Sequence, residues 1–162
     1  MRRAIFPGSF DPLTLGHCEI IKKATQVFDQ VIVSVGNNSE KKYMFSLDQR
    51  LNFISSEFKN NPQVLVEKYD GLTAEFCKIK NIKHIVRGLR NPADFEFEKK
   101  IALFNSSLEN IETIFFLTSP NNAFISSSFE LSMELNSSFC VLARLKPSII
   151  KSLIRGFSLF FV

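Results

Sequence analysis

The chain has 162 residues and a formal net charge of +4, with 45% hydrophobic and 22% charged residues. These values are close to those of an average soluble globular protein, and they exclude wholesale disorder, a collagen-like repeat and a small disulfide scaffold. Lysines and arginines are dispersed as singles and pairs, so the composition favours small phosphorylated ligands over nucleic acid.

The cysteines and the apolar segments indicate where the protein works. Cys18, Cys77 and Cys140 are widely separated and have neither CxxC nor zinc-binding spacing, so we expect reduced thiols in a cytoplasmic protein. No apolar stretch approaches the about 20 residues of a membrane span. We expect the apolar end of the chain, 157–162, to pack against the body of the protein or a neighbouring subunit.

The first elements alternate between strand and helix patterns. A short apolar run predicts a strand at 4–6, and apolar residues at helical spacing predict a helix over 15–28. The β-branched run 31–35 predicts a strand that is buried on both faces. Ser46 and Gln49 have capping-box spacing, which predicts the start of a helix over 46–59.

The same alternation continues to the end of the chain. Further apolar runs predict strands at 64–66, 84–86 and 113–117. Further helical patterns occur at 72–80, 127–135 and 147–155.

A long helix is predicted to begin at Asn91 and Pro92, because Asn is a good N-cap and Pro suits the first helical turn. Apolar residues at helical spacing predict its buried stripe, which is Phe97, Ile101, Phe104 and Leu108.

Five strand–helix repeats predict an α/β fold, a Rossmann-like doubly wound five-stranded parallel sheet with helices on both faces. We expect a single domain over 1–162, with a C-terminal helix and apolar tail at about 147–162. In such folds ligands bind beyond the carboxyl ends of the strands. The loops after the strands are therefore the candidate site.

Four of these loops carry glycines, hydroxyls, cations and one histidine. Each feature alone has a plain structural explanation as a turn, a helix cap or a solvated charge. Together on one rim they are suited to bind a polyphosphate, since glycines and helix N-termini offer N–H groups and guanidinium pairs with phosphate. The residues are Gly8, Ser9, Gly16, His17, Lys41, Arg87, Gly88, Arg90 and 126–128.

Asp94 and Glu98 are four residues apart on the long helix. They complement the helix dipole, or they accept hydrogen bonds from ribose hydroxyls. The sequence contains no plausible Ser-His-Asp triad and no His/Cys metal cluster, and we assign no role to His84.

Four sequence blocks resemble one enzyme family. They are AIFPGSFDP followed by TxGH at 4–17, KKxMF at 41–45, RGLRxxxDFEFE at 87–98 and ISSS at 125–128. In this order and spacing they resemble the phosphopantetheine adenylyltransferases of coenzyme A biosynthesis, from about residue 3 to 135. The TxGH motif alone is shared with other nucleotidyltransferases.

The resemblance implies a reaction and its partners. ATP and 4'-phosphopantetheine would give dephospho-coenzyme A and pyrophosphate, with Mg2+ bound through the ATP phosphates. The acceptor phosphate would attack the α-phosphate in line, without a protein nucleophile. The resemblance further implies a homohexamer and coenzyme A as a related ligand. From the dispersed charge and the short apolar stretches we expect no nucleic-acid or membrane partner.

The resemblance also implies roles for individual residues. His17 would stabilise the transition state, and Ser9, Lys41 and Arg87 would act with it. The implied acceptor-binding residues are Ser9, Lys41, Leu72, Thr73 and Arg87. The implied ATP-binding residues are Ser9, Phe10, His17, Gly88, Leu89, Arg90, Glu98, Asn122, Ala123, Phe124, Ile125, Ser126, Ser127 and Ser128.

The chain departs from the family pattern at a few positions. Ser9 replaces the commoner threonine, Thr73 stands where a larger apolar residue is usual, and the loop 118–124 is short. The resemblance is weak after residue 135. Two alternatives stay open: a related nucleotidyltransferase with another acceptor, such as nicotinamide mononucleotide or glycerol 3-phosphate, and a non-catalytic nucleotide or coenzyme A sensor.

Overall fold

A computed structural model describes residues 1–38 and 41–119. Strands and helices alternate in this part of the chain, as predicted. Their bounds are β1 Arg3–Gly8, α1 Leu15–Ala24, β2 Gln30–Gly36, α2 Leu47–Glu57, β3 Val64–Tyr69, α3 Thr73–Lys80, β4 His84–Leu89, α4 Pro92–Glu109 and β5 Glu112–Leu117. The helices predicted at 127–135 and 147–155, and the apolar tail, lie outside the described residues.

The five strands form one parallel sheet in the order β3-β2-β1-β4-β5. The chain winds outward from β1 to β3 and then returns to place β4 on the other side of β1. The point between β1 and β4 is therefore the topological switch point, where such folds bind ligands. This order confirms the predicted doubly wound sheet.

Side chains of β1 alternate between two cores, one on each face of the sheet. Ala4 and Phe6 pack with Ile20 of α1 and Ile54 of α2. Ile5 points the other way and belongs to a second core that includes residues of α3. Since alternate residues of a strand face opposite sides, both faces must be covered, and they are.

The predicted helix starts are confirmed by their hydrogen bonds. Ser46 and Gln49 make the reciprocal bonds of a capping box at the start of α2. Asn91 accepts from the backbone N–H of Asp94 at 2.8 Å, with Pro92 in the first turn of α4. The first helix ends at Ala24 rather than at residue 28, because the next backbone N–H groups, of Gln26 and Val27, donate to carbonyls three residues back instead of four. No helix in the described ranges is long and apolar enough to cross a membrane.

The predicted buried stripe of α4 is wrong. Phe97, Phe104 and Leu108 are 64%, 55% and 49% exposed, and Ile101 is 38% exposed. The face that carries Glu98 is buried instead, because Glu98 forms an ion pair with Arg87 on β4 and so turns that face toward the sheet. Helical periodicity identifies an apolar face but does not decide which face meets the sheet.

Candidate active site

The strand ends at the switch point border a cavity of about 740 Å³. It extends between the loops after β1 and β2, the end of β4, and the helices α3 and α4. The predicted site residues that line it are Gly8, Ser9, Lys41, Thr73, Arg87 and Glu98. The fold thus brings together residues from five separate segments of the chain.

Other predicted residues lie outside this cavity lining. Leu72 is 52% exposed and does not line the cavity. The predicted residues 122–128 lie outside the described part of the chain. The remaining predicted residues are described but do not line the cavity. They are Phe10, Gly16, His17, Gly88, Leu89 and Arg90.

The TxGH motif forms the first turn of α1. Thr14 is the N-cap, and its Oγ1 accepts from the backbone N–H of His17 at 3.3 Å. In return, Nδ1 of His17 accepts from the backbone N–H of Thr14 at 3.1 Å. This is a capping box in which histidine replaces the usual glutamate or glutamine. The spacing of the motif therefore follows from helix-cap geometry.

The cap also determines the protonation of His17. Because Nδ1 accepts a hydrogen bond, the neutral ring carries its proton on Nε2. The ring packs edge-on against Phe10, with centroids 5.1 Å apart. Burial first, and then the positive charges of Arg90 and Arg87, lower the pKa of His17 from 6.5 to about 4. His17 is therefore a neutral donor at neutral pH.

Gly8 has a steric role in the loop after β1. A Cβ at Gly8 would lie 3.0 Å from the ring of Phe10. Phe10 itself has a positive φ of 48° and is 2% exposed, so a bulky residue is held in a sparsely populated conformation. The loop that presents Ser9 is consequently built around the buried Phe10 ring.

Arg87 is fixed by its hydrogen bonds at the boundary between β1 and β4. Its Nε donates to Glu98 Oε2 at 2.7 Å, its Nη2 donates to Glu98 Oε1, and its Nη1 donates to the Pro7 carbonyl at 2.8 Å. A guanidinium has five N–H donors, so two remain for a ligand. The bidentate pair with Glu98 fixes the guanidinium at the wall of the cavity that both residues line.

Arg90 forms a second bidentate pair, with Asp94. Nε and Nη2 of Arg90 donate to the two Asp94 oxygens at 2.8 and 3.0 Å. Burial alone would raise the pKa of Asp94, but the hydrogen bonds and charge of Arg90 outweigh it and hold this pKa below its usual value. Asp94 and Glu98 of α4 thus each pair with an arginine, Asp94 with Arg90 and Glu98 with Arg87. The two pairs join the arginines and two of the carboxylates of the RGLRxxxDFEFE block. The sequence alone indicates a helix dipole or a ribose contact for these carboxylates and does not reveal the pairing.

The end of β5 is tied to α1 by a network that sequence reasoning also missed. The carboxylate of Glu19 accepts from the backbone N–H and the hydroxyl of Ser119 at 2.9 and 3.0 Å. Lys23 pairs with Glu19 at 2.8 Å and donates to the Leu117 carbonyl at 2.6 Å. These contacts fix the exit of β5 beside the helix that carries His17.

Further polar residues line the cavity and were not predicted. Asn105 of α4 is 7% exposed. The hydroxyl of Tyr69 lies 3.0 Å from that of Thr73. A signal for Asn105 was present in the sequence, since it lies seven residues after Glu98 and therefore on the same helix face. These groups give the cavity polar walls suited to a ligand with amides or hydroxyls.

The arrangement can stabilise charge on phosphate groups. Arg87 and Lys41 supply cations to the cavity, and His17 supplies a neutral donor near Arg87 and Arg90. Preorganised donors and cations of this kind stabilise phosphoryl-type transition states without a protein nucleophile.

Comparison with known proteins identifies the family. A cytidylyltransferase-like family model matches residues 5–129. A phosphopantetheine adenylyltransferase of Flavobacterium psychrophilum is 59% identical over 128 residues, which cover 79% of this chain and 85% of the relative. The chain belongs to the phosphopantetheine adenylyltransferase family. A family member from Frankia alni is 43% identical over 132 residues, covering 79% of this chain and 82% of the relative.

Solved structures confirm the fold. The nicotinic acid mononucleotide adenylyltransferase of Plasmodium falciparum, complexed with NaAD, has a TM-score of 0.72 at 16% identity and covers 96% of this chain and 95% of its own. A lipopolysaccharide core biosynthesis protein of Thermoplasma volcanium has a TM-score of 0.54 at 23% identity, covering 74% of this chain and 97% of its own. The phosphopantetheine adenylyltransferase family thus shares its Rossmann-like sheet with other adenylyltransferases.

Proposed function

We propose that the chain transfers AMP from ATP to 4'-phosphopantetheine, producing dephospho-coenzyme A and pyrophosphate. The observation that carries this proposal is the place of Arg87. It lines the cavity and donates to the Pro7 carbonyl of β1, and the loop after β1 carries Phe10, whose ring packs against His17. An acceptor phosphate bound by Arg87 would therefore lie beside an α-phosphate bound near His17.

Different residues of the site bind the two substrates. Lys41, Arg87 and Ser9 hold the acceptor phosphate, and its oxygen attacks the α-phosphorus of ATP while pyrophosphate leaves. The Nε2–H of His17 donates to an α-phosphate oxygen and stabilises the charge that develops there. Arg90 and the backbone of Gly88 and Leu89 line the nucleotide, together with the predicted residues 122–128. The chemistry is positioning and charge stabilisation, with no covalent enzyme intermediate.

Magnesium enters this reaction as part of the substrate, MgATP. The carboxylates nearest the arginines, Asp94 and Glu98, are occupied by Arg90 and Arg87. Mg2+ commonly keeps several waters and binds through substrate phosphates. This donor set fits an ion that is held by the ATP phosphates.

We propose that the protein works in the cytoplasm as one domain and self-associates, with a homohexamer as the expected assembly. The exposed apolar face of α4 supports self-association. Phe97, Phe104 and Leu108 lie on one face of this helix and are 64%, 55% and 49% exposed. Contiguous apolar surface of this kind marks an interaction site.

The substrate is tested by pyrophosphate release from MgATP with four samples: 4'-phosphopantetheine, nicotinamide mononucleotide, glycerol 3-phosphate, and no acceptor. We expect release only with 4'-phosphopantetheine, and a loss of about 10²–10³-fold in His17→Ala, the typical effect of removing one oxyanion donor. Release with nicotinamide mononucleotide would favour the related nucleotidyltransferase. Binding of ATP or coenzyme A without any release would favour the sensor.

A further inference from the structure

Arg50 is a buried cation outside the residues considered so far. It lies on α2, and only 1% of its surface is exposed. Burying a guanidinium is costly unless its N–H groups are hydrogen-bonded. The bonds it makes therefore indicate what this residue does.

The Arg50 side chain joins the end of β2 and the two loops that follow β1 and β2. Its Nη1 donates to the carbonyl of Ser9 at 2.8 Å and to that of Gly36 at 3.1 Å. Its Nε donates to the carbonyl of Phe45 at 3.2 Å. The planar fork of arginine suits several acceptors at once, which lysine matches less well.

Arg50 also acts on the loop that carries Lys41. The ring of Tyr43 lies 4.0 Å from the Arg50 guanidinium and 5.9 Å from Nζ of Lys41. The Tyr43 hydroxyl accepts from the backbone N–H of Asn38 at 3.0 Å. Tyr43, whose ring packs on Arg50, follows Lys41 in the chain, and its hydroxyl is bonded to Asn38, which precedes Lys41.

Asp11 fixes the same loop from the β1 side. Its carboxylate accepts from the backbone N–H groups of Met44 and Phe45 at 2.7 and 2.9 Å, and the residue is 8% exposed. Phe45 therefore has its N–H bound by Asp11 and its carbonyl bound by Arg50. Two buried charged side chains hold one short segment in place.

We propose that Arg50 is a positioning residue for the acceptor phosphate, which sets the place of Ser9 relative to Lys41. This inference rests on the proposed function, in which Ser9 and Lys41 hold that phosphate. The described contacts of Arg50 do not include the Thr14–His17 cap, the Arg87–Glu98 pair or the Arg90–Asp94 pair. Ser9 is also an implied ATP-binding residue, so some effect on ATP is expected, but the other polar groups of the ATP side are held by these separate contacts. The loss of Arg50 should therefore impair binding of the acceptor much more than binding of ATP.

The test compares Arg50→Lys and Arg50→Met with the wild type and with Ile54→Val. Ile54 is buried on the same helix, and its substitution loosens the same core. Its apolar side chain makes none of the hydrogen bonds that hold the two loops. The readouts are KM for each substrate, kcat, and the calorimetric Kd of 4'-phosphopantetheine and of ATP. We expect the acceptor KM and Kd to rise by about 10- to 100-fold, since small misplacements have effects of that size. Arg50→Lys should lose less than Arg50→Met, and the ATP constants should stay within about threefold of wild type.

Three results would overturn the positioning role of Arg50. Folded Arg50→Lys and Arg50→Met with an unchanged acceptor KM and Kd, or with equal rises for both substrates, would overturn the positioning role. The same selective rise in Ile54→Val would also overturn it, because general loosening would then suffice. If the arginine variants do not fold, Asp11→Asn must show the selective rise, and an unchanged acceptor KM there refutes the proposal.

A failure of the proposed AMP transfer can be told apart from a failure of the role proposed for Arg50. A wild-type protein that binds 4'-phosphopantetheine without turnover would contradict the proposed function, while the Kd comparison would still decide the role of Arg50. A wild-type protein that neither binds nor adenylylates it would refute both.

Discussion

Lowering the pH from 8 to 5 should destabilise the fold through His17. In the folded protein the pKa of His17 is about 4, against 6.5 for an ordinary histidine. Between these values the unfolded chain binds a proton that the folded protein excludes, so stability rises with pH in this window. The contribution of His17 is complete above pH 6.5 and is lost as the pH falls toward 4.

The size of the effect follows from the two pKa values. Their difference, at about 1.4 kcal/mol for each pH unit, corresponds to about 3 kcal/mol in total. About 2 kcal/mol of this should be lost by pH 5. Protonation places a proton on Nδ1 and so removes the acceptor for the Thr14 N–H at 3.1 Å, which breaks the helix cap.

Urea unfolding at pH 8, 7, 6 and 5 measures the effect. The informative variant is His17→Gln, because glutamine is a natural capping-box partner for Thr14 but does not titrate. Subtracting its pH profile from that of the wild type isolates His17. His84→Gln is the matched control, since this other histidine lies against the Arg3 carbonyl, away from the cap.

The reasoning would be refuted if wild type and His17→Gln lost the same stability between pH 8 and 5. It would also be refuted if His84→Gln, rather than His17→Gln, flattened the profile. A catalytic consequence accompanies the stability effect. Because His17 is already neutral at pH 6.5, its titration should produce no inflection in the pH profile of kcat near that pH.

Two further changes test the arginine pairing and the exposed face of α4. Glu98→Gln removes the carboxylate that orients Arg87, so the KM for 4'-phosphopantetheine should rise by about tenfold in steady-state assays. The control is Glu96→Gln on the same helix. An unchanged acceptor KM in Glu98→Gln would show that Arg87 does not need Glu98 for its orientation. Phe104→Ser removes an exposed apolar side chain, so light scattering should report a smaller assembly than for wild type. The control is Lys100→Ser, which should leave the mass unchanged. Identical masses for Phe104→Ser and wild type would exclude this face from the interface.

Much of the fold was predictable because its signals are local. The β-branched run of β2 and the Ser46–Gln49 cap depend on neighbours a few residues away, and both appear as predicted. The orientation of α4 depends instead on Arg87, which is eleven residues before Glu98. Hydrophobic periodicity contains no information about such an ion pair, so the exposed stripe was assigned to the core.

The site was predictable where a motif carries its own geometry. The Thr14–His17 spacing encodes a helix cap, and the ends of parallel strands bring Ser9 and Arg87 to one cavity. Arg50 gave no such signal, because a single arginine in an amphipathic helix resembles a surface charge. Only the fold shows that it lies among the carbonyls of two loops.

The most direct test of the account identifies the product of the reaction. Purified protein is mixed with MgATP and 4'-phosphopantetheine and followed by phosphorus NMR. Formation of pyrophosphate and of the new diphosphate ester of dephospho-coenzyme A in equal amounts is the predicted result. Folded protein that forms neither product, or that releases pyrophosphate and free AMP, would contradict transfer of AMP to this acceptor.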